Sequence, residues 1–173
     1  MAKYLELRRH TDDEDDALSQ EGVAQAMQVG AALQGGYELG VSTGAQRATQ
    51  TLACFLAALG QKVPGGVVVE EGLRSKMEDR WKAAYQEAGS GELGALRSAD
   101  ADLVEQDSAT LGSALRRVLD RLSEEGRALI VGHSPTNEAA VLGLTGEAVE
   151  PMSKGGGVLV VAEGERFRVE PLG

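Results

Sequence analysis

The sequence predicts a three-layer α/β domain, a mostly parallel sheet flanked by helices and finished by an antiparallel C-terminal strand. Three observations predict it. Short apolar segments alternate along the chain with segments whose apolar residues recur at helical spacing, the pattern of strands joined by crossover helices. One segment, Ala128 to Val131, is almost wholly apolar, as a strand covered on both faces must be. Near the end, Gly157 to Ala162 and Arg166 to Val169 flank Glu163-Gly164, which reads as a hairpin.

The elements follow in order. Tyr4 to Arg8 reads as a first strand with Leu5 and Leu7 apolar. Ser19 is a predicted helix N-cap, followed by Val23, Ala26, Met27, Gly30 and Leu33 at helical spacing and by Gly35-Gly36 as the stop. Tyr37 to Ser42 is a second strand, Ala45 to Leu59 a second helix closed by Gly60, and Val67 to Val69 a third strand. Leu73, Met77, Trp81 and Tyr85 fall every four positions, which predicts a helix from Leu73 to about Ala88 with these four as its core face. Gly89 to Gly94 is expected to be a loop. Leu111, Leu115, Val118, Leu119 and Leu122 mark a helix from about Asp107 to Glu125, and Pro135 to Leu144 forms the last one. The 173 residues suit a single domain, with residues 75–107 as a lid or insertion between two sheet strands.

Composition narrows the function. The net charge of -10 argues against nucleic acid, whose phosphate backbone needs a basic stripe. No apolar run approaches the roughly 18 residues of a membrane span, and the opening residues resemble no export signal, so the expected compartment is the cytoplasm. The single cysteine, Cys54, excludes an intrachain disulfide and a multi-cysteine metal site, and its helical context makes it small core filler. The acidic run Asp12 to Asp16 offers five carboxylates, but neighbours on one loop cannot all face one ion. It is expected to be solvated, with the later carboxylates favouring the N-terminus of the first helix. No metal site is assigned.

Open α/β sheets bind ligands beyond the carboxyl ends of their strands. Arg9-His10 follow the first predicted strand. Ser42-Thr43 follow the second, with Arg47 in the next helix's opening turn. Gly132-His133-Ser134 follow the apolar strand. Both histidines of the chain and two arginines therefore fall on one sheet edge. Arginines supply bidentate, permanently charged donors for a phosphate dianion, and helix N-termini add backbone N–H groups. A neutral imidazole can attack phosphorus, and a second imidazole, if protonated, would stabilise charge on the transferring group. Two arginines and two histidines can handle that charge without Mg²⁺, so no cofactor is expected.

At this point the blocks resemble a known family. Leu7-Arg8-Arg9-His10-Thr11 resembles the "Arg-His-Gly" signature that ends the first strand of the histidine phosphatase superfamily, which includes the phosphoglycerate mutases. Ser42-Thr-Gly-Ala-Gln-Arg47-Ala-Thr-Gln-Thr51 resembles its "Ser-Ser-Pro-Leu-x-Arg-Ala-x-Gln-Thr" block, and Ala128 to Pro135 its "Val-Gly-His" block. Leu18 to Gly22 resembles the opening of its first helix, and Lys154 to Val161 its last inner strand. The resemblance runs through nearly the whole chain and implies a phosphoglycerate mutase-like fold. It also implies His10 as phosphorylated nucleophile and a phosphate pocket of Arg9, Arg47 and His133, with Thr11 and Ser134 adding contacts.

Two departures shape the functional expectation. Thr11 stands where the family has Gly or Ala, and Arg8 where it is usually apolar; Arg8 lies either at the pocket edge or in solvent. The family's acid position, in "Leu-Arg-Glu", reads Leu73-Arg74-Ser75 here. Glu71 at the strand end is the acid candidate, with Glu78 one helical turn on as the other. The absence of a clear acid suits an easily expelled leaving group, and a compact chain suits a shallow open site that admits a protein loop. The expected function is thus a phosphatase acting through a phosphohistidine on a phosphomonoester or a protein phosphohistidine. Its partner is a phosphorylated small molecule or phosphoprotein. The alternatives are a phosphoglycerate mutase-type isomerase and a non-catalytic phosphate-binding module.

Overall fold

The computed structural model describes residues 1–173, whose elements are β1 (Lys3–Arg9), β2 (Asp13–Glu14), β3 (Ala17–Leu18), α1 (Gln20–Ala31), β4 (Leu39–Ser42), α2 (Gln46–Leu59), β5 (Val67–Val69), a 3₁₀ turn (Glu71–Leu73), α3 (Glu78–Ala88), α4 (Leu93–Ala99), α5 (Ala101–Arg121), β6 (Arg127–Gly132), α6 (Thr136–Thr145), β7 (Gly157–Glu163) and β8 (Arg166–Leu172). Six strands form one sheet in the order β5-β4-β6-β1-β7-β8. The first four are mutually parallel, while β7 pairs antiparallel with both β1 and β8. β6, last of the parallel strands in the chain, inserts between β4 and β1. This places the carboxyl ends of β1, β6 and β4 side by side.

Alternate residues of the central strands face opposite cores, as the two-residue period of a strand requires. Leu5, Leu7, Ala128 and Ile130 join a large core closed by α3 to α6, whereas Leu129 and Val131 join a smaller one with Ala26, Ala48, Leu52 and Phe55 of α1 and α2. Both faces of β6 are thus apolar because both are covered. Glu6 points into this interior, held by the Tyr37 hydroxyl at 2.9 Å and by Arg8 Nε at 2.7 Å. On the large-core side α5 and α6 cross closely at a glycine pair. A Cβ on Gly143 would overlap the Ser108 carbonyl oxygen, and one on Gly112 would press on the Gly143 backbone. No helix is long and apolar enough to cross a membrane.

Five expectations need correction. The helix expected from Leu73 begins only at Glu78, after the 3₁₀ turn. Ser75 Oγ accepts from the Met77 N–H at 2.9 Å and donates to Asp107 at 2.6 Å, which holds the chain in a turn where apolar spacing alone suggested a continuous helix. The Gly89–Gly94 loop gives way to α4 at Leu93, and α5 begins at Ala101, six residues before the expected start. Asp100 caps α5 by accepting from the Leu103 N–H at 3.2 Å. The acidic run does not serve α1 through its later carboxylates; the cap is Ser19, which accepts from the Gly22 N–H at 3.0 Å and donates to the Asp12 carboxylate at 2.7 Å. The run folds as the β2–β3 hairpin, with Asp15 at a positive φ of 58°. Finally, Trp81 is buried but Tyr85 is half exposed and is not part of the core.

Candidate active site

Each functional side chain is delivered by the end of a strand or the start of a helix. His10 follows β1, and its backbone N–H continues the parallel ladder by donating to Gly132 O at 2.9 Å. His133 follows β6, one residue beyond that same glycine. The two rings meet edge to face, with centroids 5.3 Å apart and planes at 60°. Thr43 follows β4, and its Oγ1 lies 2.8 Å from His133 Nε2. Arg47 stands in the first turn of α2, and Arg9 ends β1.

The hydrogen bonds decide which atoms can react. His10 Nδ1 lies 2.8 Å from the Thr11 carbonyl oxygen, which can only accept. Nδ1 therefore carries the proton, and Nε2 keeps its lone pair. Burial lowers the His10 pKa below its ordinary 6.5, against the opposing pull of the Thr11 carbonyl and Asp13 and with help from Arg47 and Arg9. The ring is neutral at neutral pH, as a nucleophile must be. His133 is pushed down to about 3 by burial, then by Arg47 and His10. It too is neutral, so without an anion it is a neutral hydrogen-bonding group rather than the charged one the sequence reading allowed for. Arg9 anchors through Nη1, which donates to Met152 O at 3.1 Å, while its buried Nε and His133 Nδ1 have no protein hydrogen-bond partner. Two buried nitrogens with unmet hydrogen-bonding capacity, the guanidinium one a permanent donor, fit an oxyanion.

The sequence-predicted residues divide clearly. His10, His133, Arg9 and Arg47 gather at the edge formed by β1, β6 and β4. Thr11 is turned away from it: its N–H donates to Thr51 Oγ1 at 3.2 Å and its hydroxyl to Gly22 O at 2.7 Å. The extra bulk that replaces glycine is absorbed by α1 and α2. Ser134 lines the cavity beside His133, and its hydroxyl is bonded to Glu138. Glu71 is exposed on the 3₁₀ turn and does not line that cavity. Glu78 does line it, paired with Arg74 at 3.1 Å. Arg8 lies outside the pocket, bonded to Glu6 and to Gly155 O at 2.9 Å. Two participants escaped the sequence reading. Thr43 was visible only as a polar residue after a strand. Glu138 sits four residues beyond Ser134 among alanines, a spacing that could have suggested the pair.

The cavity is about 480 Å³, lined by Arg47, His133 and Ser134 on the sheet side and by Glu78, Trp81, Lys82 and Tyr85 of α3 on the other. Part of the segment expected to be a lid or insertion therefore walls this cavity, which His133 and Arg47 line and His10 and Arg9 do not. No group of three or more His, Cys, Asp or Glu side chains is placed to hold a metal ion.

A mostly parallel sheet that presents two neutral imidazoles and two guanidinium groups at one edge defines an α/β protein whose strand ends could receive an anion. The chain belongs to the histidine phosphatase superfamily, branch 1, whose family model matches residues 3–157. Solved structures share its fold. Phosphoglycerate mutase from Bacillus anthracis str. Sterne is 17% identical with a TM-score of 0.74, over 99% of this chain and 92% of that one. Phosphoserine phosphatase from Entamoeba histolytica is 18% identical with a TM-score of 0.71, over 98% and 96%. SixA from Agrobacterium tumefaciens, assigned as a phosphohistidine phosphatase, is 18% identical with a TM-score of 0.57, over 96% and 95%. No curated protein sequence matches.

Proposed function

We propose that this chain is a phosphatase that moves the phosphoryl group of a small phosphomonoester onto His10 Nε2 and then to water. The observation that carries the reading is the His10–Thr11 contact, which protonates Nδ1 and leaves Nε2 as the nucleophile beside His133. Arg9 and Arg47 neutralise the phosphate. His133, neutral in the free protein, gains a proton more readily once a dianion lies against it, because an opposite charge raises an imidazole pKa. The cavity is of small-molecule size, and its α3 wall supports a small ester over a protein loop. A free thiol as the one cysteine suits a cytoplasmic enzyme.

The test is chemical. Wild-type protein quenched during turnover of a generic phosphoryl donor should carry an acid-labile, base-stable phosphate, and His10→Ala should lose it together with activity, by about 10³-fold or more. Full activity in His10→Ala would end the proposal. A protein phosphohistidine, and phosphoglycerate with its bisphosphate primer, are the comparison substrates. Faster turnover of the first, or isomerised product from the second, would move the reading to a protein phosphatase or a mutase. Phosphate binding with no turnover at all would leave a binding module.

A further inference from the structure

Two serines line the cavity, Ser75 and Ser134, and each is bonded to a buried carboxyl group. The pairs differ in what the carboxyl group can still do. Asp107 Oδ2 accepts from Ser75 Oγ at 2.6 Å and from Trp81 Nε1 at 2.6 Å. The Ser75 hydroxyl thus donates into the interior, and the residue at the family's acid position is engaged in holding α3 to α5.

Glu138 is placed differently. It is fully buried in the first turn of α6, with Oε2 bonded to the Ser134 hydroxyl and Oε1 without a protein hydrogen-bond partner. Ser134 is only partly buried and reaches the cavity next to His133. The serine is therefore a bridge from a solvent-free carboxyl group to the place where a leaving group would lie.

We infer that Ser134 and Glu138 together supply the proton to the leaving group, Ser134 handing it over at the cavity and Glu138 replenishing it from behind. This rests on the phosphatase reading above. As His10 Nε2 bonds to phosphorus, the P–O bond to the leaving group breaks with its electron pair on that oxygen. The oxygen takes the Ser134 hydroxyl proton while the Glu138 carboxyl proton moves to Ser134 Oγ, leaving a carboxylate. In the second half-reaction a water oxygen bonds to phosphorus and its proton returns through Ser134 to Glu138. The P–N bond then breaks with its pair on Nε2.

The environment of Glu138 agrees with this role. Burial raises its pKa to about 7, opposed by the Ser134 hydroxyl, by the nearby backbone N–H groups of Glu138 and Met152, and by the positive charge of Arg9. Arg9 on β1 is the charged group that faces it; Ser134 and the Met152 backbone complete its surroundings. A carboxyl group that titrates near neutrality can both give and recover a proton in each cycle.

The experiment compares phenyl phosphate with p-nitrophenyl phosphate, near-isosteric esters whose leaving oxygens differ in basicity. Phenolate needs a proton far more than p-nitrophenolate does. Ser134→Ala and Glu138→Gln should lower kcat/KM on the phenyl ester by about 100-fold, within the usual range for losing acid catalysis, and on the nitrophenyl ester by less than about fivefold. The basic limb of the wild-type pH profile on the phenyl ester, centred near 7, should be missing in Glu138→Gln. Equal losses on both esters, or none, would overturn the relay, as would selective loss of the phenyl ester in Glu78→Gln instead. If Glu138→Gln does not fold, Ser134→Ala carries the same comparison. Wild-type protein that turns over neither ester overturns the phosphatase reading and the relay with it. Turnover abolished by His10→Ala but lost evenly in Ser134→Ala overturns the relay alone.

Discussion

Asp16 holds Arg47: its Oδ1 lies 2.7 Å from Arg47 Nη1, and its carboxylate also faces the backbone N–H groups of Gln46 and Arg47 at 3.4 Å. The last member of the acidic run thus occupies the guanidinium and helix N-terminus that a phosphate would use. An incoming dianion must compete with it. Asp16→Asn should therefore tighten inhibition by inorganic phosphate by up to about fivefold, the scale of a half-exposed ion pair, with the gain shrinking at high salt. Weaker inhibition would show instead that Asp16 orients Arg47 for the ligand.

Thr43 should matter through His133. Its hydroxyl is the one partner of His133 Nε2, and the ring is nearly buried. Thr43→Val keeps the volume and removes the bond. It should cost about 1–3 kcal/mol of stability, since a buried polar atom is left unpaired, and lower kcat more than it changes KM. Urea unfolding and steady-state kinetics on the same preparation check both; an unchanged urea midpoint would refute the structural half.

The depressed pKa of His133 also makes a pH prediction. Its folded value of about 3 lies below the ordinary 6.5, so its contribution to stability is present above 6.5 and is lost as the pH falls from 6.5 toward 3. Urea midpoints should drop through that window in the wild type. His133→Asn should show a shallower drop. Parallel curves would mean that other groups dominate acid unfolding.

Gly143→Ala tests the close crossing of α5 and α6. The added methyl would meet the Ser108 carbonyl oxygen, which is backbone and cannot swing aside. Overpacking of this kind costs about 1–3 kcal/mol, and since α6 carries Glu138 the variant should lose activity as well as melting temperature. A melting temperature within a degree of wild type would show that the helices part easily.

Much of the fold was legible in local pattern. Leu5 and Leu7, the apolar run from Ala128 to Val131 and the Gly60 stop after the second helix specify their elements through periodicity and backbone freedom, which are properties of neighbouring residues; the first helix ends at Ala31, before the expected Gly35-Gly36 stop. Arg9, His10 and His133 were legible in the same way, because a polar residue at or directly after a strand's end falls on the sheet's carboxyl edge whichever strands it pairs with; Arg47 reaches that edge on the opening turn of the next helix. The start of α3 was misjudged where a side chain decided the backbone: Ser75 bonds to Asp107, 32 residues away. Long-range partners decided the rest. Whether β6 would insert between β4 and β1, whether Thr11 would face the phosphate or Thr51, whether Asp16 would serve α1 or Arg47, and whether Glu138 would be buried behind Ser134 all depend on contacts between distant segments. A carboxylate in sequence carries no mark of the dielectric or the charges that will surround it. Spacing alone could place His10, Arg9, Arg47 and His133 at one edge; only tertiary packing set the neutral state of the two imidazoles and buried a carboxyl group behind Ser134.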